Sequence, residues 1–357
     1  MKLQDVLDKD LKLGLEVIAG DKELATQVQT RLIALGILDP PADGAFGPIS
    51  SKSLKEFQDL LKCGEANFLG PVTAKKLIET KELPKPELKL GNDLASSIIK
   101  YLQAQQYQIF QGEKQYNIVY VEGLDPSATL NNDAPNAFND LRTVIEIIQG
   151  VPKIVGRWQA TTEPGRYYTY NPMNQGGAAR IKFGQYKSWQ VGWHGNAERH
   201  EALVQVANVT VFRDFNQDFM RTGDKTDTGL FGINQHWGYD LDYNNVHNAS
   251  AGCLVGRTRD GHREFMAIIK KDKRYVTNYE YVFYTTVIPG DELVAKFPPQ
   301  KPWLDYSIIR FFQRIKSISP ACNEYAITHY KLDLKRIKET STRSGENYFR
   351  FSSLHSF

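Results

Sequence analysis

The chain has 357 residues, 41% hydrophobic and 24% charged, too long for one ordinary core and close enough to globular averages to fold throughout as two or three domains. A formal charge of +3, scattered without a run of Lys and Arg, argues against nucleic acid as the partner. Three cysteines, Cys63, Cys253 and Cys322, with no Cys-x-x-Cys spacing, fit neither a zinc ribbon nor a disulfide framework, so at least one thiol is expected to be free.

The first residues carry Asp5, Asp8 and Asp10 and no apolar stretch of signal-peptide length, and no membrane-spanning run follows anywhere, so the route to any extracytoplasmic site is unknown. Leu24, Val28, Leu32 and Leu35 recur at spacings of three and four and predict a helix closed by Gly36. After the loop ILDPPADGAFGP, a second helix is predicted with Leu54, Phe57, Leu60 and Leu61 on one face. A short third helix follows Gly70-Pro71, with Leu77 and Ile78 facing inward.

Pro84 and Pro86, set among charges, mark a linker. Residues 93 to 108 read as a helix and Tyr116 to Gly123 as a strand. From Lys153 to about Ile288 short strands are predicted at KIVGRW, RYYTY, AARIKFG, SWQVGWH, LVQVANVTVF, GLFGINQ and EYVFYTTVI. The tail after Pro302 returns to helical periodicity. The predicted class is α+β and multidomain: a helical module over 1–82, a linker and helix over 83–109, a mostly-β domain over 110–298 and a helical extension over 299–357.

Two stretches resemble known families. Val28-Gln29, Leu32, Leu35-Gly36, Asp43-Gly44, Phe46-Gly47-Pro48, Phe57-Gln58 and Gly70-Pro71 resemble the three-helix peptidoglycan-binding module found on many wall hydrolases, over residues 22 to 79. The second Asp-Gly that often precedes the final Gly-Pro is replaced by Asn67-Phe68-Leu69. The stretch from Thr228 to Arg257 resembles the core of the L,D-transpeptidase (YkuD-like) family, in which a histidine after a strand precedes a Ser-x-Gly-Cys turn. Here these are His236 and Ser250-Ala251-Gly252-Cys253, and the match runs over roughly residues 200 to 270.

This resemblance implies a β-sandwich catalytic domain and a cysteine acyltransferase or peptidase acting on the stem peptides of peptidoglycan, with no cofactor and no metal. Cys253 would be the nucleophile and His236 the base, held by a backbone carbonyl. Gly252 would permit the tight turn and, with Cys253, offer amides to an oxyanion, and Ser250 would close the turn or bond at the site. Trp237, Arg257 and His194 are candidate substrate contacts, with His200, Arg259, His262 and Arg263 nearby. Ala251 stands where many members have His, and Val255 where many have Arg, which bears on transpeptidation more than on the nucleophile. Asp214-x-Asn216-x-Asp218 lacks the Gly and Glu of a calcium loop and reads as a turn. Alternatives are a zinc D,D-peptidase using His194, His200, His236 and His247, and a non-catalytic wall-binding protein.

Overall fold

Leu24, Val28 and Leu32 bury one face of a helix against Leu54 and Phe57 of the next, and these contacts found the N-terminal module. The computed structural model describes residues 1–84 and 87–300, and the predicted helical tail and Cys322 lie outside them. The module comprises α1 (Leu3–Asp8), β1 (Leu13–Gly14), α2 (Leu15–Gly20), α3 (Lys22–Ala34), α4 (Pro48–Leu60), β2 (Phe68–Leu69) and α5 (Pro71–Glu79). Gly36 ends α3 at φ 74° and Gly44 turns the following loop at φ 76°, values that suit glycine.

The residues before position 22, expected within the module but with no element predicted for them, form α1, β1 and α2 and pack into it. Leu3, Val6 and Ile18 enter its core, and β1 pairs with β2 at Leu13 and Leu69. The missing Asp-Gly is thereby explained: Asn67 takes φ 68° and Phe68-Leu69 form β2. The Glu65 carboxylate accepts the amides of Gly70, Val72 and Thr73, capping α5 from outside the helix. Two expected core positions face outward instead, Leu60 on α4 and Ile78 on α5, because each falls past the edge of its helix's buried stripe.

Beyond the module come α6 (Leu94–Ala104), β3 (Asn117–Glu122), β4 (Asp140–Ile148), β5 (Val151–Thr161), α7 (Arg166–Tyr170), β6 (Ala178–Ile181), β7 (Gly184–His194) and β8 (His200–Gln205). They are followed by β9 (Val209–Asp214), β10 (Lys225–Gly229), β11 (Gln235–Trp237), β12 (Leu254–Gly256), α8 (Arg259–Ile269), α9 (Lys273–Thr277), β13 (Phe283–Pro289) and α10 (Gly290–Lys296). The α+β class holds. The sheets, however, are arranged as a closed barrel in the order β11-β12-β5-β4-β3-β13-β7-β8, beside a three-stranded sheet β10-β9-β6, rather than as a sandwich. Antiparallel pairing prevails, with parallel contacts at β11–β12 and β3–β13.

An eight-stranded barrel is narrow enough for side chains to fill, and Tyr120, Trp189, Leu203, Leu254 and Phe283 do so here. On the outside, α6 lays Ile98, Ile99 and Leu102 over Val119, Val121 and Ile145. Each such apolar side chain stabilises the fold by roughly 1.5–3 kcal/mol. Because α6 covers it, β3 is buried on both faces, which is why NIVYVE reads as nearly continuous apolar sequence. Leu88 and Leu90, in the predicted linker, pack against this same cluster. Ion pairs Lys187–Asp39 at 2.5 Å and Lys273–Glu56 at 3.2 Å join the helical module to the barrel.

Three strand predictions change. RYYTY forms the helical turn α7, anchored by Gly165, whose amide donates to Ser250 O at 2.8 Å. GLFGINQ crosses the end of the barrel largely without pairing, with Gly232 at φ 73°. LVQVANVTVF divides, β8 entering the barrel and β9 the small sheet. The Asp214 segment is a turn, its carboxylate accepting from the amides of Asp218 and Phe219.

Candidate active site

The site is assembled where β11 and β12 run parallel. Gln235 pairs with Leu254 and His236 with Val255, which puts Cys253 level with Asn234 one step before the strands begin. Alternation along paired strands then places Asn234 and His236 on the same face as Cys253 and Val255. The spacing of 17 positions between His236 and Cys253 is thus the length of one crossover between neighbouring parallel strands.

The Cys253 turn is held from within. Ser250 Oγ donates to Cys253 O at 2.9 Å and accepts from Gly252 N at 3.1 Å. Gly252 sits at φ 123°, and a β-carbon there would come within 2.4 Å of Ala179 O, so both dihedral and space require glycine. The Gly252 amide is consequently committed to Ser250, which leaves the amide of Cys253 as the turn's remaining donor. The Cys253 side chain is half-buried. Its sulfur accepts from Asn234 N at 3.4 Å and lies 3.6 Å from Gly232 O. Burial pushes the thiol up to about 11, opposed by the Asn234 amide.

His236 is buried, and its Nδ1 lies 2.8 Å from Trp237 O. A carbonyl only accepts, so Nδ1 carries the proton and Nε2 presents a bare lone pair. That Nε2 is buried and has no hydrogen-bond partner. Burial, then the neighbouring His194, holds the ring well below the usual histidine range, so it rests neutral. No hydrogen bond joins Sγ to the imidazole in this resting arrangement, a looseness common before substrate binds.

His194 lies flat on His236, with centroids 3.9 Å apart and planes 9° from parallel. Its Nδ1 is 2.9 Å from Asn234 Nδ2. His200 stacks in turn on Trp237, centroids 3.6 Å apart. Its Nδ1 donates to Glu198 O at 2.9 Å, and its Nε2, like Trp237 Nε1, is buried without a partner. Both residues line a cavity of about 280 Å3 that also touches Glu201, His262, Arg263 and Met266. Neither Cys253 nor His236 lines that cavity.

The loop over the site is fixed by Gln205, which sequence reasoning passed over. Its Oε1 accepts from Phe231 N and Ile233 N, and its Nε2 donates to Ala207 O and Gly229 O. Trp189 Nε1 adds a bond to Ile233 O. Nothing local distinguishes Gln205 from any other strand glutamine, because three of its four partners, Gly229, Phe231 and Ile233, are supplied by folding and only Ala207 lies nearby in sequence.

The basic candidates are already engaged. Arg257 donates to Leu241 O and Gln159 Oε1, Arg259 pairs with Glu198 and Asp240, and Arg263 with Asp260. His262 is buried, donating Nε2–H to Glu201 O and accepting from the buried Arg142. Val255 is enclosed by Phe138, Val246 and Ala249, surroundings that suit an apolar side chain rather than an arginine.

A buried ionic layer joins β3, β4 and β6. Arg221 pairs bidentately with Glu122, Arg180 with Glu163, and Thr162 bridges Glu122 and Asp140. Among the described residues, ligand atoms of His, Cys, Asp and Glu converge only at Glu122, Asp133 and Glu163. Two of those carboxylates face arginines, and the four histidines named for a zinc site are not among them.

No protein-family model matches this chain, and no curated protein matches it. Among solved structures, it aligns with a fused Zn-dependent amidase/peptidase/peptidoglycan-binding domain-containing protein from Clostridium acetobutylicum ATCC 824. The alignment covers 74% of this chain and 94% of that one at 12% identity, with a TM-score of 0.24, too low to bear on fold or chemistry.

Proposed function

We propose that the protein is a peptidoglycan-acting cysteine enzyme in which the helical module holds the wall and Cys253 attacks a carbonyl of the stem peptide. The observation that carries this reading is the β11–β12 register, which sets a half-buried thiol on the same face as an imidazole whose one proton is committed to Trp237 O and whose lone pair has no partner. Thiol and imidazole are both neutral at rest, so proton transfer to His236 Nε2 accompanies attack. The amine leaves with that proton, and water or a second amine resolves the thioester.

Between the L,D-transpeptidase and the L,D-carboxypeptidase or endopeptidase forms, we favour hydrolysis. Val255 takes the place of the arginine common in the family, and Arg257 and Arg259 are occupied by other partners. A metal-free site at the cell wall, with no nucleic-acid or membrane-spanning role, fits this chemistry. Among the described residues no helix is long and apolar enough to cross a membrane.

The deciding experiment is mass spectrometry of purified muropeptides incubated with the protein and with Cys253→Ala. A cut or shortened stem peptide that disappears in the variant supports the cysteine mechanism, and a new crosslink with added acceptor would make it a transferase. Equal products from both proteins, abolished by a chelator, would replace it with zinc chemistry.

A further inference from the structure

An acyl-transfer site needs donors aimed at the oxygen that becomes negative, and the loss of one such donor typically slows catalysis about 10²–10³-fold. The turn here is one donor short, because Gly252 N–H is bonded to Ser250 Oγ. Asn234 shows what stands next to the gap. Its backbone amide touches Cys253 Sγ, while its side chain bonds Gln205 N through Oδ1 at 2.9 Å and His194 Nδ1 through Nδ2 at 2.9 Å.

That chain of bonds fixes the proton on His194. The Gln205 backbone N–H can only donate, so it must meet Asn234 Oδ1, and the Asn234 amide cannot flip. Nδ2 therefore faces His194, and Nδ2 can only donate, so His194 Nδ1 must accept. The remaining proton of the neutral ring is on Nε2. Burial and the neighbouring His200 lower this ring to about 4, so the neutral form prevails near neutral pH. His194 is half-buried at the end of β7, whereas His236 beneath it is sealed. The two stacked rings are opposite tautomers, one offering a lone pair and the other a proton.

We propose that His194 supplies the missing oxyanion donor, its Nε2–H hydrogen-bonding the substrate carbonyl oxygen beside the amide of Cys253. This rests on the cysteine reading above. As the Sγ–C bond forms, the thiol proton moves to His236 Nε2 and the carbonyl π pair moves onto oxygen. On collapse that pair returns, the C–N bond breaks and the amine takes the proton from His236. His194 neither gains nor loses a proton in this sequence.

The test uses the full chain with muropeptides and two variants. In His194→Gln the amide nitrogen reaches the Nε2 position, and in His194→Asn only the Nδ1 position. The Asn variant is expected to lose roughly a hundredfold or more in kcat with KM little changed, and the Gln variant to stay within about tenfold of the parent. Iodoacetamide alkylation of Cys253, which forms no oxyanion, should proceed at the parent rate in both. Ring nitrogen NMR of His194 should show Nε2 protonated. Undiminished kcat in His194→Asn, or a proton found on Nδ1, overturns the proposal while leaving the nucleophile intact. Turnover that survives Cys253→Ala removes the cysteine reading and this proposal together.

Discussion

The imidazole of His194 covers that of His236 at 3.9 Å, and the two rings arrive from different strands, β7 and β11, that are not neighbours in the barrel. β8 stands between them, pairing with β7 from His200 to Gln205 and with β11 at Leu203. The stack helps to seal His236 while His194 stays half-buried, and burial keeps both rings neutral, the condition in which one accepts and the other donates.

That neutrality predicts an acid weakness. His194, His200, His236 and His262 all resist protonation when folded, chiefly through burial, but take protons near pH 6.5 when unfolded. The unfolded chain binds more protons below that pH, so stability is full above about 6.5 and falls as pH drops towards 4 and beyond. Each histidine contributes up to about 1.4 kcal/mol per pH unit in its window. Asp133, raised to about 6, and Asp140 oppose this but are outnumbered. Melting temperatures from circular dichroism should decline between pH 7 and 5, and a flat profile would refute the neutral cluster.

Gly252→Ala should be severe. Its β-carbon would strike Ala179 O and its backbone would hold a positive φ, together costing on the order of 1–3 kcal/mol or displacing Cys253. A drop in thermal stability with loss of muropeptide turnover is expected, and an active, equally stable variant would show that the turn is looser than described.

Gln205→Leu removes four hydrogen bonds at once and leaves the amides of Phe231 and Ile233 without their acceptor. A loss of about 2–4 kcal/mol in urea unfolding is expected, at about 1 kcal/mol for each bond. Turnover should fall as well, since the freed loop carries Gly232 and Asn234 against the sulfur.

Alkylation of Cys253 by iodoacetamide, followed by peptide mapping, should accelerate about tenfold per pH unit from 7 towards 10, because only the thiolate reacts and the thiol is raised to about 11. A rate already level at neutral pH would mean a preformed thiolate.

The sequence by itself determined what depends on near neighbours. Helix periodicity located α3, α4 and α6, and glycine chemistry located the turns at Gly36 and Gly44. Such signals are written in consecutive residues, whereas the parallel pairing of β11 with β12 that brings His236 and Cys253 to one face was not read from their spacing. Helix α8 was not predicted, falling in a stretch expected to form short strands, although Thr258 caps it and Phe265, Met266 and Ile269 share its buried face. RYYTY carried the composition of a strand, and only its fit under the Ser250 turn made it helical.

Tertiary structure alone decided that the strands close into a barrel, because closure depends on the pairing of β8 with β11 across an intervening chain segment. It also decided the tautomers, since the proton on His194 is set by a backbone amide of β8 acting through Asn234, and that on His236 by the carbonyl of Trp237. Hydrogen-bond partners brought together from distant strands leave no periodic trace in the residues that supply them, so the proton positions emerge only once the chain has folded.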